Sequence, residues 1–100
     1  MKIALISDLH NEIDNVELPI TESVDLVLAA GDIDHGDRHN SFYCLETGFP
    51  NAPICYVAGN HEYYLSVYEN TLTKLRTRKS SQVHFLENDV YYTEDRSVRV

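Results

Sequence analysis

The chain has 100 residues, room for one small domain that buries a smaller share of its surface than a typical enzyme domain. A hydrophobic content of 43% is ordinary for a globular protein, and a formal charge of −8 excludes a bulk electrostatic grip on DNA or RNA. Acidity leaves a phosphorylated substrate open, because bound divalent cations reverse the local field.

The first apolar run, residues 2–7, is interrupted by Asp8 and is shorter than the ~7–15 residue core of a signal peptide. No segment approaches the ~20 apolar residues of a membrane span, so the sequence predicts a cytoplasmic chain with no membrane partner. Runs 2–7 and 25–30 are continuously apolar rather than alternating, which predicts strands covered on both faces. Residues 11–22 carry Pro19 and little periodicity, and are expected to be mostly loop. Residues 38–47 are expected to be helical, with Asp37 as cap, Phe42 and Leu45 on one face and Gly48 at the end. Pro53 opens a third strand at 54–58. Strands of this kind, joined by connections long enough to cross over, predict parallel pairing.

Residues 65–79 predict the clearest helix. Ser66 and Glu69 have capping-box spacing, and Tyr68, Leu72 and Leu75 share a face. Lys74, Arg76, Arg78 and Lys79 crowd its C-terminal part, where positive charge suits the helix dipole. Three short strands are expected at 83–86, 90–93 and 97–100, with Glu87-Asn88-Asp89 turning between the first two. Cys44 and Cys55 lack CxxC spacing and are expected to be buried thiols in a reducing compartment.

Three polar clusters follow the apolar runs: Ser7-Asp8-Leu9-His10, Gly31-Asp32-Ile33-Asp34 and Gly59-Asn60-His61-Glu62. In an open parallel sheet, ligands bind outside the carboxyl ends of the strands, so the fold itself would gather Asp8, His10, Asp32, Asn60 and His61. Singly, Asp8 reads as a loop capper and Asp32 as a turn residue; together they point to a polynuclear metal site. Asp8 and His10, two apart, are expected to project to the same side of an extended strand end. Gly31 lets the backbone turn sharply before Asp32, whose two oxygens can bridge cations, and Asn60 adds a neutral oxygen. His61 is suited to contact substrate or protonate a leaving group. Two cations ~3.5–4 Å apart would acidify a bridging water and clamp a phosphoryl oxygen for in-line attack. His84, in a strand-like context, is expected to be structural, and His35 and His39 to lie exposed in the loop after Asp32. A nucleotide-binding domain is disfavoured because no glycine-rich loop follows the first strand.

Asp8-x-His10, Gly31-Asp32 and Gly59-Asn60-His61-Glu62, in that order within the first 64 or so residues, resemble the first three motifs of the calcineurin-like metallophosphoesterase family. The resemblance implies the N-terminal half of an α/β sandwich: a mostly parallel sheet with flanking helices and C-terminal short strands. It implies hydrolysis of phosphomono- or diesters with two divalent metal ions (Mn²⁺, Fe, Zn²⁺ or Ni²⁺). Asp8 and His10 would bind the first metal, Asp32 would bridge, Asn60 would bind the second, and His61 would orient the phosphate or act as general acid. The family's downstream histidine motifs, a lone His and a Gly-His-x-His element, are not in these 100 residues. Residues 1–100 are therefore expected to be one partial domain, cut near Val100. Its bare strand edge and apolar sheet face would be open to self-association. The alternative is a non-catalytic metal-binding or interaction module.

Overall fold

Four short apolar runs pair into one parallel sheet in the computed structural model, which describes residues 1–10, 23–34, 40–64 and 66–100. The expected loop at 11–22, the Asp37 cap, His35, His39 and Leu65 lie outside the described residues. The strands are β1 (Ile3–Ile6), β2 (Leu26–Ala29), β3 (Ile54–Tyr56) and β4 (Val83–Phe85), in sheet order β1-β2-β3-β4. Ile3 sits beside Leu26, Val27 beside Ile54, and Ile54 beside Val83. Helix α1 (Ser41–Gly48) links β2 to β3, and helix α2 (Tyr68–Thr77) links β3 to β4. This mixed α/β layout is the expected fold class.

Strand order that follows chain order, with crossovers of one hand, places successive helices on the same face. The core accordingly lies on one side of the sheet. Val27, Ala29, Ile54, Tyr56 and Val83 meet Phe42 and Leu45 of α1 and Leu75 of α2. Tyr56 is fully buried and takes Phe42 and Phe85 edge-on, with ring centroids 5.9 and 5.4 Å away. Residues in register share a face, so Ile3 and Leu5 lie with Leu26, Leu28 and Cys55 on the opposite side. There Leu26 and Cys55 are buried, but Ile3 is 48% and Leu5 72% exposed. The expectation that the first strand is covered on both faces is therefore corrected: among the described residues, α1 and α2 both pack on the other side. Tyr91 covers part of this face, its ring 4.5 Å from that of His84.

The strands are shorter than the apolar runs, and the helix ends differ as well. α1 begins at Ser41 behind Asn40, which makes no side-chain cap bond, and Gly48 is its last residue rather than its stop. α2 begins at Tyr68, with extended Val67 at its cap position, so the expected Ser66–Glu69 capping box does not form. Ser66 instead accepts a hydrogen bond from Thr71 Oγ1 at 2.6 Å. Thr71 and Leu75 are the buried positions of α2, whereas Tyr68 is exposed and stacks on Tyr63. The satisfied hydroxyl is what lets threonine occupy a core position.

Residues 90–93 and 97–100 form only a narrow antiparallel hairpin, with one bridge at Tyr92–Arg99 and backbone bonds joining Tyr91 to Val100. The turn at 87–89 is present: Asn88 has φ 55° and Asp89 N–H donates to Leu86 O at 3.0 Å. Cys44 and Cys55 are free and buried.

Candidate metal centre

The first two strand-end clusters are joined by a backbone ladder that outlasts the strands. Ala30 N–H donates to Ile6 O at 2.8 Å, Asp8 N–H to Gly31 O at 3.0 Å, and His10 N–H to Asp32 O at 2.9 Å. Along it Asp8, His10 and Asp32 adopt φ of 56°, 48° and 55°, a left-handed region that non-glycine residues occupy at a cost and that Asp and His tolerate better than most. Asp8 and His10 thus do not ride on an extended strand end as expected. The left-handed pair still brings Asp8 Oδ1 to 3.6 Å from His10 Nε2.

The third cluster reaches the second through two glycines. Gly31 has φ +90°, and a Cβ there would fall 2.5 Å from Gly59 N; a Cβ on Gly59 would collide with Asp32 Oδ1. This close approach puts the single 3-10 turn His61–Tyr63 over the Asp32 loop, and His61 N–H donates to Asp32 Oδ1 at 2.9 Å.

His10, Asp32 and His61 each offer a ligand atom, and these atoms lie within 4.8 Å of one another. The two Nδ1 atoms are 3.2 Å apart, with the rings edge-on. Two imidazoles and a carboxylate at this spacing fit a borderline divalent cation. Among the described residues it is the one such group.

Asp8 lies exposed at the rim, and the Ser7 hydroxyl, which donates to its Oδ2 at 2.6 Å, together with His10 holds its carboxyl below the usual range. Asn60 donates through Nδ2 to the Tyr64 hydroxyl at 3.0 Å, turning its amide oxygen toward Asp32. The rotated amide would donate to both Asp32 oxygens at 3.2 Å and accept from Tyr64. With no cation between them, two oxygens repel and the rotated form is favoured; a cation between them favours the first. Tyr64 also stacks on His61, centroids 4.3 Å apart. All five residues expected at the site therefore converge on one end of the sheet. His84 lies elsewhere, on the face that Tyr91 covers, where burial pushes its imidazole pKa down.

Two contributors were not foreseen from the sequence. Tyr64 contacts both Asn60 and His61. Glu62, buried beneath the site, accepts four backbone N–H groups. Burial pushes its carboxyl pKa above the ordinary value, against the opposing pull of those amides. An acid embedded in the run Gly-Asn-His-Glu-Tyr-Tyr was the available signal for Glu62; nothing marked Tyr64.

The fold and site together define a parallel α/β domain with imidazole and carboxylate groups, spaced to hold a divalent cation, at the carboxyl ends of its strands. The family model for calcineurin-like phosphoesterases matches residues 1–97, and the chain belongs to that family. No curated protein and no solved structure gives a significant match. No helix among the described residues is long and apolar enough to cross a membrane.

Proposed function

We propose that this chain supplies the His10, Asp32 and His61 cluster, with Asp8 and Asn60 beside it, to the metal-dependent hydrolysis of a phosphomono- or diester. The observation that carries this reading is the convergence of three ligand atoms within 4.8 Å at the carboxyl end of the sheet. A divalent cation bound there supplies Lewis acidity toward a phosphoryl oxygen and acidifies water. The chain's own groups prepare for it. The His61 N–H fixes Asp32 through Oδ1, and ionised Asp8 keeps the rim negative for cation recruitment. Asn60 contributes its amide oxygen in the orientation that a cation favours. His61, stacked on Tyr64, would offer one ring nitrogen to the cation and leave the other for substrate contact.

A second reading has its own support: the described residues gather donors for one ion, whereas in-line clamping of both oxygens uses two. It makes the chain a one-ion binding module. Mn²⁺ titration with metal stoichiometry, run beside hydrolysis of a chromogenic phosphodiester and phosphomonoester, separates the two. Turnover above the Mn²⁺-only background, lost in Asp32→Asn, supports the phosphoesterase; Asp32-dependent binding without turnover supports the module. Absence of binding, or an Asp32→Asn variant that binds as tightly as the parent chain, overturns both.

A further inference from the structure

We propose that Glu62 is the positioning residue of the metal centre: its buried carboxylate locks two site loops together and fixes where Asp32 points. The proposal rests on the metal-site reading above and deepens it. Glu62 is 2% exposed. Its Oε1 accepts from Asp32 N–H at 2.6 Å and Gly59 N–H at 2.5 Å. Its Oε2 accepts from Ile33 N–H at 2.6 Å and Asp34 N–H at 3.1 Å. Four charge-assisted bonds from two loops therefore end on one carboxylate.

Three of the donors are consecutive, residues 32–34, and they form a concave run of amides of the kind that holds anions. Consecutive N–H groups converge in this way only because Gly31 and Asp32 turn through positive φ, +90° and +55°. Glu62 is thus the internal anion that holds Asp32 in left-handed backbone, and that backbone aims the Asp32 carboxylate at His10 and His61. The coupling is mutual. Asp32 Oδ1 accepts the His61 N–H at 2.9 Å, so each loop presents a carboxylate to the other's backbone. Glu62 is not one of the converging ligand atoms and acts through Asp32.

Glu62→Gln keeps the shape but turns an NH₂ toward one pair of donors, either Asp32 and Gly59 or Ile33 and Asp34. Glu62→Asp keeps the charge on a stem one methylene shorter. In the full chain, the expected result is folded Glu62→Gln protein whose Mn²⁺ affinity falls by ~10–100-fold, with a changed visible spectrum when loaded with Co²⁺. A purely structural role would lower the unfolding midpoint and leave the affinity of the folded fraction untouched. Folded Glu62→Gln that binds Mn²⁺ within twofold of the parent chain overturns this inference alone; a parent chain that binds no Mn²⁺ overturns it together with the metal-site reading. If Glu62→Gln does not fold, Glu62→Asp is read by the same criteria. If neither folds, the parent chain's amide protons decide. Ile33 and Gly59 N–H groups that resist exchange and shift on Co²⁺ loading uphold the inference, and exchange at the solvent rate overturns it.

Discussion

At Gly31 the fold makes two demands on one position: a φ of +90° and space for the Gly59 backbone where a Cβ would stand. Gly59 has no left-handed φ to satisfy, and its missing Cβ leaves room for the Asp32 carboxylate and backbone N. The two alanine variants should therefore fail differently. Gly31→Ala incurs ~1–2 kcal/mol for left-handed backbone alone, plus displacement of the Gly59 backbone, and its main effect should be a lower urea midpoint. Gly59→Ala moves Asp32, and its main effect should be weaker Mn²⁺ binding at a midpoint nearer the parent's. Equal loss of both properties in both variants would refute this division. Much of this was legible in the sequence, since Gly-Asp after an apolar run signals a sharp turn that presents a carboxylate. The left-handed conformations of Asp8 and His10 were not, because they follow from pairing with residues 31 and 32, far along the chain.

Among the elements, the C-terminal hairpin has a turn in which one side chain gathers three bonds. Asp95 Oδ1 accepts from the Ser97 amide at 3.0 Å and from the Ser97 and Thr93 hydroxyls at 2.7 Å. The Ser97 bonds, then Thr93, pull its carboxyl from 3.8 down to about 2. A depressed carboxyl favours the folded turn while it is ionised. That support is complete above the unfolded value of 3.8 and disappears as pH falls through about 2. The Ser97 amide resonance should move with a midpoint near 2, and Asp95→Asn should fray residues 90–100 at neutral pH; a midpoint near 4 would refute the bonding. Local pattern located this hairpin but overstated its length as sheet. It also misplaced the cap of α2, because Ser66 and Glu69 have the right spacing while Val67 is the residue at the boundary. Spacing reports a possible bond; packing of Thr71 and Leu75 decides where the helix starts.

For the molecule as a whole, parallel topology followed from continuous apolar runs and the length of their connections. The uneven cover of the two sheet faces did not, because it depends on strand order, which apolar runs leave unspecified. The two cysteines report on that arrangement. Cys44 is 8% and Cys55 4% exposed, and burial pushes both thiols up, Cys55 to about 11. Native protein should show little reaction with a thiol-specific chromogenic disulfide at pH 8 and release two equivalents in urea. Rapid labelling of Cys55 in the native state would mean that the face shared with Leu28 and His84 is open. The left-handed conformations of Asp8, His10 and Asp32 carry a consequence at this scale too. Each such non-glycine residue costs on the order of 1 kcal/mol, so a domain this small commits a sizeable part of its marginal stability to three side chains at one end. Backbone strain at this end of the sheet therefore falls on the same side chains that form the cluster, so glycine at any of the three would relieve strain only by removing a donor.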